Sequence, residues 1–248
     1  NLDGARKGDS FEELTLTMWM KQPFVNGIEF DYRYNLDVRN YSQITDASNI
    51  LHQMLFECSR YMSIFKVGVG YDLAYLAYPD FEEGDFLFHK GFCYVRNDLT
   101  RKLSHQLKVY YGVKDYLDGK TLSETSLAVD PAKDRLDRRQ HAAYLITYSY
   151  NKNLTVHLEG NYSINDSNAR YIDYYDYKSP GVSCGFDYRI KPDFYLLTDY
   201  SYRRKNYKGR TVTGATKTYK QEDNIYAVNV GLQYLLGKQS SLSFNYLY

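Results

Sequence analysis

The sequence predicts an all-β fold: an up-and-down antiparallel transmembrane β-barrel, about 12 strands visible, extensible to a barrel of 14 or more. Three observations predict it. Apolar and polar residues alternate with period two along the whole chain. The alternating segments reach about ten residues, the length a tilted strand needs to cross the hydrocarbon layer. Short turns alternate with long polar connections, as in barrels that carry turns at one end and loops at the other.

The stretch from Ala142 to Ile164 is the clearest case. Ala142, Tyr144, Ile146, Tyr148 and Tyr150 alternate with His141, Ala143, Leu145, Thr147 and Ser149. After Asn151, Lys152 and Asn153, the residues Leu154, Val156, Leu158, Gly160, Tyr162 and Ile164 alternate with Thr155, His157, Glu159, Asn161 and Ser163. This is a hairpin with one greasy and one wet face.

The same unit recurs in order. Strands are predicted near Leu14–Met20, Ile28–Arg39, Ser48–Arg60, Ile64–Tyr78, Asp85–Arg96 and Lys102–Leu117. Six more follow near Arg138–Tyr150, Leu154–Ile164, Gly181–Ile190, Phe194–Tyr202, Asn224–Tyr234 and Ser240–Tyr248. Tight turns are expected at Lys21–Gly27, Arg60–Ser63, Asn97–Arg101, Asn151–Asn153, Lys191–Asp193 and Leu235–Gln239, and long polar loops at Asp118–Asp137, Asn165–Pro180 and Arg203–Asp223. Residues 1–248 read as a single barrel domain. Because the first and last predicted strands both adjoin short turns, at least one further strand is expected at each end.

Composition removes other classes. Lys+Arg of 31 against Asp+Glu of 30 leaves a net charge of +1, so no basic field argues for nucleic acid. Aromatic residues reach 17%, with 29 Tyr, which a disordered chain would lack, and Pro is scarce at five. No run of about eighteen apolar residues suggests a transmembrane helix. Cys58, Cys93 and Cys184 lie far apart inside predicted strands and read as half-buried small hydrophobes.

Catalytic patterns are missing as well. The five His are dispersed, with His105 and His141 read as strand-end polar residues, and no GxSxG elbow or metal-ligand spacing occurs. Neither enzyme activity nor a cofactor or resident metal is expected. Asp80, Glu82, Glu83 and Asp85 offer oxygen ligands to a hard cation but lack the ordered spacing of a calcium loop. The basic runs 133–139 and 203–205 fall at the predicted outer rim and read first as solvated loop charge, with lipopolysaccharide phosphates as the alternative partner.

Two segments carry a family resemblance. Tyr162-Ser163-Ile164-Asn165-Asp166-Ser167-Asn168 with Asp173-Tyr174-Tyr175-Asp176-Tyr177 is the first. The second runs from Gln221-Glu222-Asp223-Asn224-Ile225-Tyr226 into Val228-Asn229-Val230-Gly231-Leu232. They resemble outer-membrane β-barrel porins of Gram-negative bacteria, some associated with exopolysaccharide export. The resemblance covers the last half of the chain and implies outer-membrane location and fold, with no catalytic residue to carry over.

The expected function is a porin-like channel for hydrophilic solutes or exported polysaccharide. Its lumen would be lined by Asp31, Arg33, Lys66, Asp72, Lys108, His157, Glu159, Asp187 and Arg189, whose interleaved charges imply weak ion selectivity. Tyr171, Tyr174 and Tyr175 would stack on sugar rings in a loop. Expected partners are outer-membrane lipid, lipopolysaccharide, the passing solute and periplasmic proteins. The alternatives are a non-transporting adhesin or anchor of a larger assembly, and a soluble β-rich binding protein.

Overall fold

The computed structural model describes residues 11–23, 27–42, 45–213, 218–236 and 241–247. It contains β1 (Phe11–Pro23), β2 (Ile28–Tyr41), β3 (Asn49–Met62), β4 (Phe65–Ala77), β5 (Phe86–Asp98) and β6 (Leu103–Leu122). There follow β7 (Val129–Ser149), β8 (Leu154–Ser167), β9 (Tyr177–Lys191), β10 (Phe194–Thr213), β11 (Thr218–Leu235) and β12 (Ser241–Leu247). All 12 join one sheet in sequence order, each antiparallel to the next. The sheet curls until β1 and β12 lie within 8 Å of each other, Cα to Cα. Parts of the predicted turns Lys21–Gly27 and Leu235–Gln239, and the residues Ser240 and Tyr248, lie outside the described residues.

The predicted hairpin from Ala142 to Ile164 forms with the expected faces in register. Ala142 pairs with Tyr162, Ile146 with Leu158 and Tyr148 with Val156 on one side, and His141 with Ser163 and Thr147 with His157 on the other. Its turn is fixed by Asn151, whose Oδ1 accepts from the backbone N–H groups of Asn153 at 2.8 Å and Leu154 at 2.9 Å. Other tight turns use left-handed residues, Ser63 at φ 59° and Asp193 at φ 63°.

The long polar loops are corrected. Much of Asp118–Asp137 and Arg203–Asp223 is strand, because β6–β7 and β10–β11 continue as tall hairpins, and Asn165–Pro180 is strand at both ends. Outside a bilayer both faces of a strand are wet, so the alternation that marks a strand within lipid fades although the backbone pairing continues. The β6–β7 ladder skips between Lys120–Asp134 and Thr121–Asp130, where Pro131 cannot donate.

The molecule is inside-out relative to a soluble domain. Leu14, Met18, Val69, Leu107, Tyr111, Leu158, Tyr188, Val230 and Tyr234 are exposed, whereas Asp72, Asp137, Ser163, Asn165, Ser167 and Ser179 are buried. A soluble protein does the reverse, and an exposed apolar band of this extent requires an apolar neighbour. Outward side chains turn polar at Arg138, Asp166 and Lys178, one rung beyond Gln140 and Ile164, which sets the loop-side edge of the band. Cys93 and Cys184 are exposed on the outer face rather than half-buried.

Candidate lumenal site

Period-two alternation places every expected pore residue on the inner face, and pairing aligns them in rungs. One rung runs Asp31, Glu57, Gly70, Phe92, Tyr110, His141, Ser163, Ser179 from β2 to β9. The next towards the loops carries Arg33, Leu55, Asp72, Lys90, Gly112, Arg139, Asn165 and Tyr177. The next towards the turns carries Glu29, Ser59, Gly68, Tyr94, Lys108, Ala143, Asn161, Gly181 and Arg203.

Interior charge leans acidic on β2–β4, where Arg33 and Lys66 stand among the acids, and basic on β5–β7. On β2–β4 the acids dominate: Glu29 accepts from Lys66 at 2.8 Å and from Lys21 at 3.0 Å, Tyr94 donates to Glu57 at 2.5 Å, and Asp72 takes Gln53 at 2.9 Å. Asp72 also pairs with Lys90 across the boundary. The facing residues on β5–β7 are mostly cations. Lys108 lies 4.0 Å from the Phe92 ring centroid, Lys114 lies 3.5 Å from that of Phe86, and Arg139 donates to the Tyr177 hydroxyl at 2.9 Å. Ring faces thus take the place of carboxylates along this wall.

The remaining expected residues lie lower on the wall or apart. His157 Nε2 sits 2.7 Å from Asp199 Oδ1, Glu159 accepts from Asn161 at 3.1 Å, and Asp187 pairs in register with Thr155 and Leu197. Arg189 lies 6.0 Å from the Tyr195 ring. Gly185 lets β9 and β10 approach closely, since a Cβ there would overlap the carbonyl oxygen of Thr198. His141 and His105, read as strand-end polar residues, sit within strands. His141 stacks on Tyr110 at 4.6 Å and meets Ser163 Oγ at 2.8 Å, while His105 meets the outer Tyr144 hydroxyl at 2.8 Å.

At the loop end the tyrosines meet arginines. Arg135 lies 3.6 Å from the Tyr175 ring, and Arg210 lies 4.3 Å from that of Tyr174. Tyr171 opens a short 3-10 turn, Tyr171–Asp173, in which Ile172 is left-handed at φ 47°. That turn presses so closely on β10 that a Cβ at Gly209 would overlap the Ile172 carbonyl. Asp176 Oδ1 accepts from the Ser167 N–H at 2.8 Å, and burial raises its carboxyl above the usual aspartate range. Asp173 holds Lys208 at 2.6 Å and raises the ammonium pKa.

The run 80–85 does not gather into a metal site: Asp85 Oδ1 instead accepts the Tyr78 N–H at 2.6 Å, and no metal-holding cluster occurs among the described residues. The rim reading of the basic runs is corrected only for part of each run, because strand alternation splits them and leaves Arg138 and Arg204 outward. Arg139 and Arg203 face inward, whereas Arg204 pairs with Glu222 at 2.5 Å. Both inward arginines border a cavity of about 370 Å³ with Tyr110, His141, Glu159 and Ser179. Carrying the period of two to the end of the predicted strand Arg138–Tyr150 finds Arg139, and extending it into the supposed loop from Arg203 finds Arg203.

Comparison with solved structures supports the fold. The NanC porin matches at TM-score 0.54 with 14% identity over 92% of this chain and 98% of that one. The siderophore receptor PiuA from Acinetobacter baumannii gives TM-score 0.39 and 10% identity, over 98% of this chain and 49% of that one. The ferric-catecholate import receptor Fiu from K12 E. coli gives 0.37 and 9%, over 96% and 49%. No curated protein sequence matches the chain. An outer-membrane-type β-barrel is therefore the fold, and with residues 94–243, more than half of the sequence, matching the model described as surface lipoprotein assembly modifier, the chain belongs to that family.

Proposed function

We propose that this chain is a bacterial outer-membrane barrel that serves the assembly of lipoproteins at the cell surface. The observation that carries the membrane part is the inverted burial, with leucines, valines and tyrosines outside and aspartates and serines inside. The description of the matched family supports lipoproteins as the cargo in this reading. In this reading the protein acts passively: its outer face binds lipid, and its polar inner face offers a path or a platform for a hydrophilic chain. Periplasmic proteins would deliver that chain to the turn or loop end.

The test is surface display. Cells lacking the protein should lose protease accessibility of their surface lipoproteins, and the wild-type gene should restore it. Unchanged accessibility would overturn the reading.

A second reading rests on the charged inner wall. Asp31, Arg33, Lys66, Asp72, Lys108, His157, Glu159, Asp187 and Arg189 could replace part of the hydration of a small solute or an exported polysaccharide. Swelling of liposomes carrying the purified barrel in a sugar solution would support it. A well-inserted barrel that admits no sugar would instead favour an adhesin or anchor.

A further inference from the structure

The inner cavity presents two guanidinium groups to solvent without giving them carboxylates. Arg203 is exposed to the interior and makes no ion pair among the described residues. Arg139 spends one nitrogen on the Tyr177 hydroxyl at 2.9 Å, and its buried Nε has no acceptor. The two arginines lie one rung above and one rung below the Ser163–Ser179 pair. Ser179 is 1% exposed, borders the same cavity, and its Oγ has no partner. Two charged forks and a buried hydroxyl therefore border one cavity.

We propose that this place is an oxyanion site, taking the carboxylate or phosphate of a small solute between Arg139 and Arg203, with Ser179 Oγ as a further donor. Guanidinium forks match the geometry of such groups and bind them through charge-assisted hydrogen bonds. His141 stands beside the site against Tyr110, held by Ser163. The one acid bordering the cavity among the described residues, Glu159, lies one rung from that of Arg203 and is held by Asn161; against two guanidinium groups it leaves the lining with net positive charge. The cavity of about 370 Å³ admits a solute of several heavy atoms rather than a bare ion alone.

The inference is independent of the lipoprotein reading, since it concerns what the interior holds and not what the barrel assembles. Equilibrium dialysis of the detergent-solubilised full chain against radiolabelled inorganic phosphate, and separately against acetate, tests it. Saturable binding of either probe is expected, with Arg203→Gln weakening it about 10-fold. Arg203 supports no contact of the fold, so this variant should keep its heat-modifiable gel mobility. Ser179→Ala provides a second, smaller loss. A preference for one probe separates phosphate from carboxylate ligands. Equal binding by wild type and Arg203→Gln, or no saturable binding of either probe, would overturn the proposal.

Discussion

Arg135 grips Asp137 with two parallel bonds, Nη2 to Oδ2 at 2.7 Å and Nε to Oδ1 at 3.1 Å, while its guanidinium lies between the rings of Tyr116 and Tyr175. Asp137 is 2% exposed, so the pair is the buried fastening between the tall β6–β7 hairpin and the segment leading into β9. Removing one partner strands a buried charge. Asp137→Ala should cost about 3 kcal/mol in urea unfolding of the reconstituted barrel. Arg135→Lys should lose the fork and the stacking together, and destabilise the same end.

Lipid as the outer neighbour makes a separate prediction. Leu158 faces outward in mid-strand and is 49% exposed, although in water such a position would accept any side chain. Leu158→Arg should lower folding stability in phospholipid vesicles by about 2–4 kcal/mol, the cost of a cation near the bilayer midplane. A shift below 0.5 kcal/mol would indicate that water touches this face.

Gly185 tests the close β9–β10 approach beneath the lumenal site. Any Cβ at this position meets the carbonyl oxygen of Thr198, a backbone atom that no rotamer change can move. Gly185→Ala should destabilise the β9–β10 pairing by about 1–3 kcal/mol. Faster hydrogen exchange at Ser201 and Ser183 would report it. Gly160 has open space on the outer face, and its replacement by Ala should leave exchange unchanged.

Asp176 gives a pH dependence with a definite sign. Burial raises its folded carboxyl above the unfolded value, so the folded state favours the proton. Docking of the loop is therefore strongest below the usual aspartate range and weakens as pH rises through the raised folded value. Exchange protection at Ser167, corrected for intrinsic rate, should fall across that window. In Asp176→Asn, which keeps an acceptor for Ser167 and removes the charge, the protection should be flat with pH.

The faces of the sheet were legible residue by residue, since Ile146 opposite Leu158 and His141 opposite Ser163 follow from alternation alone. The site was legible only in part. His157 and Lys108 could be placed on the inner wall, but Arg203 was hidden in a stretch that read as loop, and Arg139, at the edge of a predicted strand, was counted with a basic run at the rim. Their strands run beyond the lipid, where no apolar partner enforces the pattern.

What the sequence determined by itself is the period of two, the strand count and the solvent of each face, because lipid and water act on every second side chain independently of distant neighbours. Only the tertiary structure decided which inner side chains meet. Pairing and curling the sheet join Asp72 of β4 to Lys90 of β5, and bring Arg203 of β10 and Arg139 of β7 to the border of one cavity although they are far apart along the chain. Register and closure make those encounters, and neither is written in any one strand.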